Sequence, residues 1–167
     1  VAMLRGSFEY QGQKCSAASR AYVPESVWEA IKAPLCEEVG KITMGDPRDF
    51  TNFMTAVIDQ KAFDNISGYI SGAREDPFCE VIVGGGCDDS VGWFIEPTII
   101  ETSDPNAKSM VEEIFGPVLT VYVYEDHDFD DVLKLCDEAS PYALTGSIFS
   151  SSEENIQTAF NALRFTA

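Results

Sequence analysis

At 167 residues the chain is long enough to bury a core, and a hydrophobic content of 45% excludes a disordered polymer. Its 28 acidic and 11 basic residues leave a net charge of −17, which argues against nucleic acid or an anionic membrane as partner. No apolar run approaches the roughly 18 residues needed to cross a bilayer.

Taken in chain order, residues 2–10 read as the end of a helix running into a turn at Gly12. Ala21-Tyr22-Val23 is a short strand candidate, and Pro24-Glu25 then suits the first turn of a helix. Val27, Ile31, Leu35 and Val39 recur at helical spacing, and Gly45-Asp46-Pro47 breaks the pattern. A third helix starts near Asp59, with Phe63, Ile66, Tyr69, Ile70 and Ala73 on its inner face. Residues 80–83 predict a strand ending in Gly84-Gly85-Gly86, a triplet read as a tight turn because it lacks phosphate-loop spacing. Residues 93–100 predict another strand, and residues 107–113 a short helix. The β-branched run of residues 117–124 is the best core strand. A helix over 128–139, a strand over 144–149 and a helix over 151–163 complete the pattern. Alternating strands and helices predict an α/β class with a largely parallel sheet and flanking helices. No internal repeat or linker interrupts it, and both Val1 and Ala167 read as cuts within helices.

The five cysteines, Cys15, Cys36, Cys79, Cys87 and Cys136, are odd in number, widely spaced and free of CxxC or Cys/His clustering. That pattern suits a reducing compartment and predicts no metal site. Cys36 and Cys136 sit among apolar helical neighbours and are expected in the core.

Cys15 stands apart because it follows a Gly-Gln-Lys turn and precedes a helix-favouring stretch. A helix start there would favour a thiolate, Lys14 and Arg20 would add positive charge, and free N–H groups could hold an oxyanion. The competing reading is a buried structural cysteine. The lone histidine, His127, lies in an acidic run where nothing positions it as a base for Cys15.

Gly12-Gln13-Lys14-Cys15-Ser16-Ala17-Ala18-Ser19-Arg20 resembles the active-site segment of the NAD(P)-dependent aldehyde dehydrogenases. Glu112-Glu113-Ile114-Phe115-Gly116-Pro117-Val118 resembles the family segment that reaches the cofactor. Met44-Gly45-Asp46-Pro47, Phe94-Ile95-Glu96-Pro97-Thr98 and Tyr142-Ala143-Leu144-Thr145-Gly146 extend the similarity over essentially the whole chain. Ser16, residues 56–59, residues 87–92 and residues 121–124 look like the branch that oxidises 1-pyrroline-5-carboxylate in its open form, glutamate semialdehyde.

The resemblance implies a partial catalytic, thiol-bearing domain over residues 1–167. The cofactor-binding Rossmann-like domain, the oligomerisation segment, the general base and an oxyanion-hole Asn would all lie outside it. It implies Cys15 as catalytic nucleophile, Glu113 as the acceptor for the ribose hydroxyls of NAD, Phe115 beside the nicotinamide, and Ser16 against the substrate carboxylate. From spacing alone, Glu113 reads rather as a helix-surface acid and Phe115 rather as core, while Ser16 reads equally as a helix N-cap or first-turn serine. Gln13 and Arg20 would scaffold the loop. Asn65 stands where many relatives carry a Lys near the cofactor ribose. The implied partners are a small aldehyde and other copies of the full-length chain in a homo-oligomer, and the implied location is the mitochondrial matrix. The alternatives are another aldehyde substrate, or a non-enzymatic association fragment.

Overall fold

A computed structural model of the chain describes residues 1–141 and 144–163. Helix α1 (Ala2–Phe8) runs into a 3₁₀ turn (Glu9–Gly12), followed by β1 (Arg20–Pro24) and α2 (Glu25–Gly40). Then come α3 (Gln60–Glu75), β2 (Cys79–Val83), β3 (Cys87–Asp88), β4 (Phe94–Ile95) and β5 (Thr98–Thr102). Helix α4 (Lys108–Val111), β6 (Val118–Tyr124), α5 (Phe129–Glu138) and α6 (Glu153–Ala162) close the order.

The main sheet runs β1-β6-β5-β2. β6 is parallel to both β1 and β5, while β2 pairs antiparallel with β5 through a register shift between Val81 and Val83. Alternation along β5 and β6 sends Ile100 and Val118 to one face and Ile99, Leu119 and Val121 to the other. α3 covers the first face with Phe63, Ile66, Ile70 and Ala73, spaced three and four residues apart. Its start is fixed by Asp59, whose carboxylate accepts from the Ala62 N–H at 2.8 Å. α1 and α2 cover the second face with Phe8, Trp28 and Val39. The result is the α/β layering expected from the alternating pattern.

Five local expectations give way to tertiary structure. α2 does bury Val39, but its inner stripe uses Trp28 at 4% exposure while Val27 stands 45% exposed. The indole N–H of Trp28 reaches the Glu101 carboxylate on β5 at 2.8 Å, so the larger ring gains both apolar cover and a polar partner. The strand expected over 93–100 is split. Pro97 has no N–H to give a ladder, so Ile95 pairs with Cys87 in a separate two-stranded sheet and Thr98 begins β5. The helix expected over 107–113 stops at Val111, because Glu112 already has extended backbone, with ψ of 150°. Residues 144–149 form no strand; they are exposed and pair with no neighbour among the described residues. Cys36 and Cys136 are only half-buried, so neither is the core residue expected. The glycine triplet is the tight turn expected: Gly84 has φ of 73°, and a Cβ there would lie 2.1 Å from the Pro97 carbonyl oxygen.

Candidate functional site

The two motif segments come together because of where they enter the sheet. The Cys15 loop feeds β1, and the loop carrying Glu113 and Phe115 feeds β6. β1 and β6 are adjacent and parallel, with Arg20 opposite Thr120. Both loops therefore lie at the amino-terminal edge of the sheet. They meet backbone to backbone: a Cβ on Gly12, which has φ of 63°, would lie 2.2 Å from the Gly116 carbonyl oxygen. Only glycine gives that approach at that φ.

Local sequence then fastens each loop. Gln11 donates to the Ala56 carbonyl at 3.3 Å, and Gln13 accepts from the Ile58 N–H at 3.0 Å, which ties the Cys15 loop to residues 55–58. Arg20 donates to the Met110 carbonyl at 3.0 Å, joining β1 to the end of α4. Gln13 and Arg20 are thus scaffolding, as expected. The Thr98 N–H holds the Pro117 carbonyl at 2.9 Å. Tyr10, Gln11 and Phe115 are non-glycine residues with φ near 58° (59°, 58° and 57°), and all three fall within or beside the two motifs. Left-handed backbone at such residues costs about 1–3 kcal/mol each and clusters at functional sites.

Cys15 is exposed, which rules out the buried structural reading. The helix expected after it does not form. Residues 14–17 make a turn closed by the Ala17 N–H on the Lys14 carbonyl at 3.0 Å. Ala18 then donates to the Gly6 carbonyl, and the Ser19 carbonyl accepts from Thr120, so the chain is committed to α1 and the sheet within two residues. The Cys15 N–H makes no hydrogen bond among the described residues and is free to donate although no helix starts there. The Lys14 ammonium is held by Glu9 at 3.2 Å, and Glu9, also bound by Arg5, has its carboxyl below the usual range through those two contacts. Ser16 is exposed beside the thiol in the same turn and is not a helix cap.

Glu113 is exposed on the extended stretch after α4 and is not a helix-surface acid. Its Oε1 accepts from the Phe115 N–H at 3.0 Å, which orients the carboxylate. Phe115 is 44% exposed, so its ring is not core. Asn65 donates to the Ile114 carbonyl at 3.5 Å. A cleft lined by Ser19, Arg20, Met110, Glu112, Glu113 and Ser140 runs between the two segments. His127 stands on an exposed turn between Glu125 and Asp128, at 3.9 and 3.3 Å. The larger surface cavity, by Phe78, Cys79 and Thr102, lies at the opposite end of the sheet from both motifs.

Sequence reasoning missed the paired left-handed residues Tyr10 and Gln11, the Arg20 tie to Met110, and the pairing of Tyr69 with Glu112. No local signal marks these, since each depends on a partner more than forty residues away or on loop closure. The Gly12 contact had a signal in the residue type alone.

The whole chain, residues 1–167, matches the model of the "Aldehyde dehydrogenase family". It is 60% identical over 98% of its length to the mitochondrial delta-1-pyrroline-5-carboxylate dehydrogenase of Dictyostelium discoideum, and 50% identical over 98% to that of Homo sapiens. It spans 29% of each of these relatives. Among solved structures, it superposes with a TM-score of 0.93 and 42% identity on a delta-pyrroline-5-carboxylate dehydrogenase from Mycobacterium tuberculosis bound with NAD and cobalamin, covering 99% of this chain and 30% of that one. The chain belongs to the aldehyde dehydrogenase family.

Proposed function

We propose that this chain is the thiol-bearing part of an NAD-dependent dehydrogenase that oxidises L-glutamate γ-semialdehyde to glutamate in proline catabolism. The observation that carries the reading is the meeting of two strained loops at one sheet edge, one presenting exposed Cys15 and the other Glu113 and Phe115. The 60% identity to a delta-1-pyrroline-5-carboxylate dehydrogenase supports the choice of substrate. The names of the Dictyostelium and human relatives, which print "mitochondrial", support a location in the mitochondrial matrix. A homo-oligomer, and cofactor-binding and oligomerisation segments outside this chain, belong to the same proposal.

The residues fit the cofactor. Glu113 is fixed by its own loop at one oxygen, yet exposed, so lone pairs remain for a ribose diol. Phe115 offers a half-exposed ring face for the nicotinamide. A nicotinamide bound there supplies the two-electron acceptor for the oxidation. Cys15 Sγ attacks the carbonyl carbon, and the resulting oxyanion is held by the Cys15 N–H. The oxidised adduct is a thioester on Cys15. Water adds to its carbonyl carbon, the C–S bond breaks, and the acid leaves with the thiolate regenerated. The Ser16 hydroxyl donates to the far carboxylate of the substrate and so orients the aldehyde.

In the full-length enzyme, Cys15→Ala is expected to lower kcat for NADH formation from glutamate semialdehyde by about 10⁴-fold or more, the scale of losing a covalent nucleophile. Undiminished turnover in that variant overturns the mechanism. A preference for simple aliphatic aldehydes over glutamate semialdehyde overturns the substrate and leaves the role of Cys15 standing.

A further inference from the structure

Residues 110–115 are tied at every second position. The Met110 carbonyl is held by Arg20, and Ile114 is 2% exposed. Between them, Glu112 Oε2 accepts from the Tyr69 hydroxyl at 2.5 Å, a side-chain tie from the middle of α3. Lys108 Nζ lies 3.8 Å from the same carboxylate and 4.9 Å from the centroid of the Tyr69 ring. The residues left exposed beyond that tie are Glu113 and Phe115.

We propose that Tyr69 is a positioning residue for cofactor binding: through Glu112 it holds this extended loop so that Glu113 meets the nicotinamide ribose. The inference rests on the cofactor role given to Glu113 above. The reason is mechanical. Phe115 is held at a φ of 57°, which an unrestrained loop would relieve by rotation. α3 is anchored in the core by Phe63, Ile66 and Ile70, so a bond from its Tyr69 fixes the loop one residue from Glu113. A diol contact to both carboxylate oxygens tolerates only about 0.5 Å of displacement. Lys108 places a positive charge 3.8 Å from the Glu112 carboxylate, which offsets part of its repulsion of the Glu113 carboxylate beside it.

The test uses the full-length enzyme and calorimetric titration with NAD. Tyr69→Phe keeps the ring, its packing and the Lys108 contact and removes only the hydroxyl. It is expected to raise the Kd for NAD about five- to tenfold, the scale of one solvent-exposed hydrogen bond. KM for the aldehyde and the alkylation rate of Cys15 stay within about twofold, because the Cys15 loop is tied elsewhere. Glu112→Ala should match Tyr69→Phe, and the double variant should be no worse than either. Glu112→Gln keeps an acceptor oxygen and should retain most of the affinity. Unchanged NAD affinity in Tyr69→Phe, beside a weakened Glu113→Ala, overturns the role of Tyr69 alone. Unchanged affinity in Glu113→Ala overturns both assignments. Parallel losses in NAD affinity, aldehyde KM and thermal stability assign Tyr69 to general folding and overturn the proposal.

Discussion

Gly12 does at the scale of one residue what no side chain could. Its φ of 63° and its approach to Gly116 join the Cys15 loop to the loop of Glu113 and Phe115. Gly12→Ala is expected to cost more than about 1 kcal/mol, since the added Cβ meets both a left-handed backbone and a carbonyl oxygen. Urea unfolding reads that loss, and the alkylation rate of Cys15 reads displacement of its loop. An unchanged midpoint would show that the two loops part freely and that their contact is incidental. The exposed position of Cys15 was legible in the motif but not in the residue type, because free cysteine is among the most buried residues. What the motif concealed was the local structure around the thiol. The expected helix is replaced by a turn, and the expected cation, Lys14, is held by Glu9.

Among the elements, β1 carries a group that works against its own stability at high pH. The Tyr22 hydroxyl is buried without a hydrogen-bond partner among the described residues, and burial, with the neighbouring Cys136 thiol, pushes its pKa up to about 12. In the unfolded chain the same group ionises near 10. Its contribution to stability is therefore fully present below pH 10 and is lost as pH rises from 10 towards 12. Tyr22→Phe removes that ionisation and leaves no orphaned partner. Its unfolding midpoint at neutral pH is expected to equal or exceed that of the parent, and its alkaline decline to be shallower. A steeper decline in the variant would show that Tyr22 does not control the alkaline limb. Apolar spacing located α3, and acids in the first turn located α5 and α6, because both are local signals. Local signals failed for residues 93–100 and 144–149, where the strand-like residue types were present. Pairing decides a strand, and Pro97 and the lack of a partner among the described residues are not properties of hydrophobic spacing.

Across the whole molecule, the proposed chemistry is divided between what the sheet edge gathers and what it does not supply. Thioester hydrolysis needs an activated water, and no base on this chain is assigned to it. The 167-residue polypeptide by itself is therefore expected to react at Cys15 without sustained NADH production. Mass-resolved labelling with iodoacetamide should mark the exposed Cys15 and Cys87 first. Cys36, Cys79 and Cys136 should follow, their thiols pushed up by burial. Steady turnover lost on Cys15→Ala would show that a base resides here after all, and labelling of Cys136 ahead of Cys15 would show that the nucleophile loop is closed.

The sequence by itself determined the α/β class, the pairing of two motifs with a family, and the identities of Cys15, Ser16, Glu113 and Phe115 as the residues to examine. These are properties of residue type, spacing and order along the chain. Only the tertiary structure decided that the two motifs meet, because meeting requires β1 and β6 to be parallel neighbours although nearly a hundred residues separate them. It alone showed the left-handed backbone, the bond from Tyr69 to Glu112 and the exposure of the thiol. Contacts between distant segments arise from sheet order and close packing, and neither is written in any local stretch of the chain.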